Sequence, residues 1–190
     1  MRMILASSSP RRKELLGIAG FTFEIIRPDV DETPKRGEDP EVHAVRIARA
    51  KADVVHAAHP DAIVIAADTN VVRKKAILGK PVDEEEAIAM LKGLSGKTHK
   101  VITGVAILGP ENGCQWAVHT QVEFRDLGHG EILRYVATGD PMDKAGAYGI
   151  QGLGAHLVRG IKGSYTNVVG LPLAEIVEAL SRVFGVGPDA

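Results

Sequence analysis

Met3-Ile4-Leu5-Ala6, running directly into Ser7-Ser8-Ser9-Pro10-Arg11-Arg12-Lys13-Glu14-Leu15-Leu16, is the stretch on which the fold turns. Four apolar residues make a short strand. Three hydroxyl residues and a proline then mark a helix start, because serine caps a first turn and proline fits inside one. The first amides of such a helix have no partner within it and carry partial positive charge, so the strand-to-helix turn is ready to hold an anion. Arg11, Arg12 and Lys13 follow at once, and guanidinium forks match phosphate oxygens two at a time. A serine N-cap followed by a solvated basic turn is the competing reading of the same residues.

Outward from this turn, 190 residues suffice for one sizeable α/β domain or two small lobes sharing a sheet. Aromatic residues make up 4% of the chain, so its core must rest on Val, Ile, Leu and Ala. The net charge of −1 argues against a polyanion binder held by bulk electrostatics. Without interleaved aromatics a nucleic-acid module is also disfavoured, and any nucleotide must be met in a local pocket. The single cysteine, Cys114, offers neither an internal disulfide nor zinc-ligand spacing. The apolar residues before Ser7 are too few for a signal-peptide core, and no run approaches the length of a membrane span. A cytoplasmic protein without membrane association is the expectation.

The remaining pattern alternates strands and helices. Residues 3–6 read as a strand, 10–17 as a helix stopped by Gly17, and 21–26 as a second strand before the polar loop 27–40. Residues 41–58 carry Val42, Val45, Ala48, Ala52 and Val55 at helical spacing. Residues 62–67 form a continuous apolar run of the kind buried on both faces of a sheet. A hairpin over 71–78 has Arg73-Lys74-Lys75 at its tip. The helix over 83–94 is the clearest, with Asp83 as cap and Glu86 completing a capping box. Two long strands, 97–108 and 114–124, flank Gly109-Pro110-Glu111-Asn112-Gly113, and a short helix covers 129–138. The Gly-rich stretch 143–165 contains a β-like run at 156–161, and 173–184 is a terminal amphipathic helix. A mixed sheet flanked by helices is predicted, as one domain over 1–190, because no linker divides the chain. If it forms two lobes, the cleft between them is where a ligand belongs.

Three regions hold residues capable of chemistry. Asp68, in Ala66-Ala67-Asp68-Thr69 at the exit of the apolar strand, is placed for metal binding or water activation, or else caps a turn. Glu32, in the acidic loop Asp29-Val30-Asp31-Glu32-Thr33, is the carboxylate chosen to join it. Lys51 lies in the 41–58 helix, where Ala48 and Ala52 keep one face apolar while the charges project elsewhere. Lys80 is fixed in Gly79-Lys80-Pro81. Lastly, Pro141 to Gly154 holds Lys144, Tyr148 and Gln151 among small residues that let backbone approach a ligand. Within it Gln151 presents a donor and an acceptor, which suits the imide edge of uracil or thymine. Its glycine spacing matches neither the Walker nor the dinucleotide pattern, and a structural loop is the alternative.

Together these segments resemble the Maf family of nucleotide pyrophosphatases, once described as septum-formation inhibitors. The resemblance runs through Leu5-Ala6-Ser7-Ser8-Ser9-Pro10-Arg11-Arg12, Ala67-Asp68-Thr69, Leu78-Gly79-Lys80-Pro81 and Leu94-Ser95-Gly96-Lys97-Thr98-His99. It continues through residues 143–152 and Asn167-Val168-Val169-Gly170-Leu171-Pro172. It implies an elongated mixed sheet in two lobes with a central cleft, related to inosine triphosphate pyrophosphatases. It implies a cytoplasmic enzyme that converts a nucleoside triphosphate to the monophosphate and pyrophosphate with a divalent cation, Mg²⁺, Mn²⁺ or Co²⁺. A homodimer is compatible with the family. By position, Asp68 is similar to the catalytic carboxylate and Glu32 to its partner in holding the metal. Ser7, Ser9, Arg12, Lys51 and Lys80 are similar to the phosphate-binding set. Arg11, Thr69 and Gln151 occupy the specificity positions of the branch acting on dTTP and UTP, where the branch acting on 7-methyl-GTP has Trp, Gln and Glu. The physics agrees, because a cationic methylated guanine favours an aromatic face and a carboxylate, whereas Arg11 would repel it. The basic tip Arg73-Lys74-Lys75 departs from the family pattern. A non-catalytic nucleotide sensor acting on cell division is the rival function, and the joint presence of carboxylates and cations argues against it.

Overall fold

In the computed structural model, which describes residues 1–189, seven strands form one mixed sheet in the order β2-β1-β3-β5-β6-β7, with β4 paired to β3. The strands are β1 (Met3–Ala6), β2 (Glu24–Ile26), β3 (Ile63–Arg73), β4 (Ala76–Leu78), β5 (Thr98–Leu108), β6 (Gly113–Phe124) and β7 (Val158–Lys162). The helices are α1 (Pro10–Ile18), α2 (Pro40–Ala58), α3 (Glu84–Leu94), α4 (His129–Val136), α5 (Tyr165–Val169) and α6 (Leu173–Phe184). The chain divides into two compact units. The first comprises Met1–Asp68, Thr103–Val118 and the chain from Gly170 onward; the second comprises Thr69–Ile102 and His119–Val169.

In the first unit β1 is central, parallel to β2 on one side and to β3 on the other. Ile4, Leu5 and Ala6 are fully buried, as an apolar strand covered on both faces requires. Helix α1 carries the chain from β1 to β2. Helix α2 returns it from β2 to β3, capped by Asp39, whose carboxylate accepts from the Glu41 amide, with Pro40 in the first turn. The buried residues of α2 are Pro40, His43, Ala44, Ile47, Ala48, Lys51, Ala52 and Val55, so Ala48, Ala52 and Val55 of the expected stripe face inward and the stripe is broader than expected. Val42 is exposed, and Lys51 lies within the stripe instead of projecting away from it. The helix seats against Gly104 of β5, where a Cβ would meet the Ala44 carbonyl carbon at 2.3 Å. Only hydrogen fits there.

In the second unit Val71 pairs with Leu78 and Arg73 with Ala76, and Lys74 and Lys75 turn the hairpin at φ 49° and 69°. The expected tip is therefore present, although lysines replace the glycine or asparagine that such a turn prefers. Asp83 caps α3 by accepting from the Glu86 amide at 2.8 Å, while the Glu86 carboxylate reaches back to the Val82 amide at 2.7 Å. Around Leu91, Phe124, Ile132 and Leu157 this unit has its own apolar core.

Several expected boundaries move. β3 does not stop at Ala67 but continues through Asp68 to Arg73, because Thr69, Val71 and Val72 are β-branched and β4 pairs with its distal end. Asp68 is thus inside a strand and not at its exit. β2 begins at Glu24, three residues late, and β7 is shifted to Val158–Lys162. The short helix α5 was not expected, since five residues leave too little periodicity to read.

Candidate active site

The first turn of α1 is built by the serines. Ser7 accepts from the Ser9 amide at 3.1 Å, and Ser9 accepts from the Arg12 amide at 3.5 Å. The cap is real, and each hydroxyl keeps further bonding capacity, so capping and anion binding are compatible. Arg12 is anchored by Nε, which donates to the Gly170 carbonyl at 2.8 Å. Burial pulls its guanidinium below the ordinary value, while the Asp68 and Glu32 carboxylates raise it and Arg11 lowers it. Arg12, Asp68, Glu32 and Arg11 therefore share one electrostatic neighbourhood in the first unit.

At its centre is Lys51. Its Nζ lies 2.9 Å from Asp68 Oδ1 and 2.9 Å from Glu32 Oε1. The Lys51 and Asp68 side chains are 8% and 10% exposed, whereas Glu32 is 58% exposed. The inner pair is fixed by the α2 stripe and by β3; the outer carboxylate comes from a loop. That loop is held to α2. His43 Nε2 lies 3.1 Å from the Glu32 carbonyl oxygen, and Arg46 donates to the Thr33 carbonyl at 3.2 Å. Arg46 also grips Glu38 through both oxygens, at 2.6 and 2.8 Å, and this holds the Glu38 carboxyl down at about 2.

The other expected residues belong to the second unit. Thr69 follows Asp68 on β3 and is half-buried. Lys80 is exposed in the segment between β4 and α3, and Gln151 is half-buried and extended before a 3₁₀ turn over Gly152–Leu157. One bond links their surroundings, from the Gly146 amide to the Gly79 carbonyl at 2.9 Å. Thus the structure joins Glu32, Lys51 and Asp68 directly and gathers Ser7, Ser9, Arg11 and Arg12 in the same unit. Thr69, Lys80 and Gln151 lie in the second.

Sequence reasoning missed the residues that hold these in place. His43, Ile47 and Lys51 recur every four positions, so a polar side chain in register with Lys51 on the same helix face was the available signal for His43. The Gly170 carbonyl under Arg12 left none, because a backbone acceptor has no side-chain signature.

The residues also test a metal. Two carboxylates already converge on a cation, the Lys51 ammonium, so the donor set suits positive charge. Among the described residues no group of three or more His, Cys, Asp or Glu side chains could cage an ion. Two carboxylates completed by water and phosphate oxygens fit Mg²⁺, which rarely uses an all-protein shell.

The family description "Maf-like protein" matches residues 2–183. A dTTP/UTP pyrophosphatase of Myxococcus xanthus is 52% identical over 180 residues, 95% of this chain and 91% of that protein. A dTTP/UTP pyrophosphatase of Geotalea uraniireducens is 52% identical over 183 residues, 95% of this chain and 94% of that one. Among solved structures the chain is similar to a nucleoside-triphosphatase / dITP/XTP pyrophosphatase of Mycobacterium abscessus. That likeness has a TM-score of 0.44 and 16% identity over 95% of this chain and 97% of the other.

Proposed function

The chain belongs to the Maf family, and from that premise we propose that it is a nucleoside triphosphate pyrophosphatase hydrolysing dTTP and UTP to the monophosphate and pyrophosphate. The observation that carries the reading is the buried Lys51–Asp68 pair with Glu32 on its outer side. Hydrolysis at the α-phosphorus spreads negative charge over a leaving pyrophosphate, and catalysis then consists mostly of positioning and charge stabilisation. Arg12, Lys51 and Lys80 neutralise that charge, and the α1 N-terminus with Ser7 and Ser9 receives phosphate oxygens. Asp68 orients the attacking water and takes its proton. Its bond to Lys51 restrains the carboxylate in one rotamer.

Glu32 and Asp68 would hold the divalent cation, which when bound supplies charge neutralisation on the phosphates. Gln151 pairs with the imide edge of uracil or thymine, with Arg11 and Thr69 completing base selection. The cytoplasm, where the triphosphate pool lies, is the setting for this activity. No helix among the described residues is long and apolar enough to cross a membrane.

The test is pyrophosphate release from a panel of nucleoside triphosphates with Mg²⁺, comparing the wild type with Asp68→Asn. The expected outcome is turnover of dTTP and UTP that falls by about two to four orders of magnitude in the variant, with KM little changed. Full turnover in Asp68→Asn would remove Asp68 from the mechanism. No release from any nucleotide by the folded wild type would refute the activity.

A further inference from the structure

The backbone leading into Gln151 is held in an unfavourable shape. Gly146 and Ala147 lie consecutively in the left-handed region, at φ 70° and 59°. Ala147 carries a Cβ, so its conformation is strained and persists only where the surroundings enforce it. At Gly146 a Cβ would stand 2.8 Å from Val71 Cγ1, which fixes the turn against β3.

The next residue supplies the enforcement. The Tyr148 ring is buried edge-to-face against Phe124 at 4.7 Å and His99 at 5.4 Å. Its hydroxyl oxygen lies 2.7 Å from His99 Nε2. His99 is the second residue of β5 and Phe124 the last of β6, so two strands of the sheet clamp this side chain. Beyond Gln151, Gly154 closes the other flank; a Cβ there would meet the Gly149 carbonyl oxygen at 2.5 Å and the Tyr135 hydroxyl at 2.6 Å. Gln151 thus sits between two anchors, each three residues away.

His99 is an odd choice for packing alone. Its Nδ1 is buried without a hydrogen-bond partner, and burial, with the nearby Arg73 charge, lowers the imidazole to about 4. A hydrophobic pair would fill the same space with no orphaned nitrogen. What the hydrogen bond adds is direction.

Direction is what an amide needs in order to choose between pyrimidines. Uracil and thymine offer a carbonyl acceptor beside an N–H donor; cytosine offers an amino donor beside a ring-nitrogen acceptor. A glutamine that turns its amide over satisfies either edge, because its oxygen and nitrogen merely exchange places. Only a glutamine held in one orientation discriminates.

We infer that the His99–Tyr148 hydrogen bond is a positioning device for base selection, fixing the segment that carries Gln151 so that its amide admits uracil and thymine and excludes cytosine. This rests on the reading of Gln151 as the base contact. The same turn, through the Gly146–Gly79 bond, spaces that segment from the one bearing Lys80.

The experiment measures kcat/KM for UTP and CTP, and for dTTP and dCTP, in wild type, Gln151→Ala, Tyr148→Phe, His99→Leu and His99→Gln, with thermal unfolding of each. In Tyr148→Phe the ring stays and only the hydroxyl goes. The UTP:CTP ratio is expected to fall by about 10- to 100-fold, the span of a small misplacement of a binding group, mainly through KM. His99→Gln, which can still pair with the Tyr148 hydroxyl, should recover much of the ratio that His99→Leu loses. Adding Tyr148→Phe to Gln151→Ala should lower it no further. If Tyr148→Phe does not fold, the two His99 variants carry the comparison. A ratio that falls in Gln151→Ala but is unmoved in the folded Tyr148 and His99 variants overturns the inference and leaves the base contact standing. A ratio unmoved in Gln151→Ala overturns the base contact, and the inference with it.

Discussion

Replacing Lys51 with methionine tests the electrostatic core of the site most directly. Methionine keeps the straight apolar stem that packs in the α2 stripe and removes only the ammonium. Two carboxylates lose a partner, but not equally. Glu32 is 58% exposed, so its arm resembles a surface ion pair worth at most about 1 kcal/mol. Asp68 is 10% exposed and is left as an uncompensated buried charge, a change that typically costs about 3–5 kcal/mol. A loss of roughly 3–5 kcal/mol follows, because the inner arm dominates. For a chain of this size each kcal/mol lowers the unfolding midpoint by about 2–4 °C, so a drop of roughly 6–20 °C is expected. The assay is urea and thermal unfolding at pH 7, with the denaturant slope checked for constancy. The double variant Lys51→Met/Asp68→Asn should recover a substantial part of the loss, since it buries no net charge. A loss below about 1 kcal/mol in Lys51→Met, or a double variant no more stable than the single one, would refute the buried-pair reasoning.

Two further outcomes concern the scaffold. Gly104→Ala drives a Cβ to within 2.3 Å of the Ala44 backbone and 2.5 Å of the Val45 nitrogen, so α2 must lift from the sheet. A cost at the upper end of the overpacking range, about 3 kcal/mol, is expected in urea unfolding, and a shift under about 1 kcal/mol would contradict the close approach. The Glu38 carboxyl is lowered from 4.5 to about 2 by Arg46, so the native state favours its charged form. Its contribution is fully present above pH 4.5 and is lost as pH falls toward 2. Glu38→Gln should flatten the acid limb of the stability profile across that window, and an unchanged limb would place the acid sensitivity elsewhere.

Much of the scaffold was legible in local pattern. The Ser9 cap with Pro10, the Asp83–Glu86 box, and the lysine-tipped hairpin were all read from neighbours within a few positions. Lys51 shows where such reading fails. Its neighbours Ala48 and Ala52 are buried as their apolar face suggested, yet Ala44, Ile47 and Lys51 face inward with them, so the buried stripe is wide enough to include the lysine. The close seating of that helix also depends on Gly104, sixty places beyond Ala44, because only a residue without Cβ lets the Ala44 backbone approach β5 so closely. Asp68 was likewise placed at a strand end, since nothing local shows that β4 will pair with the residues beyond it.

By itself, then, the sequence determined the order of the strands and of every helix but α5, the caps at Ser9 and Asp83, the candidate residues and, through its motifs, the family. Those are properties of residues adjacent along the chain, where short-range sterics and hydrogen bonding act whatever the rest does. Only the tertiary structure decided that Lys51 is buried between Glu32 and Asp68, 19 residues before it and 17 after it. The same holds for His99 gripping Tyr148 across 49 residues. Such pairings form where packing removes both partners from water at once, and burial is a property of the assembled core.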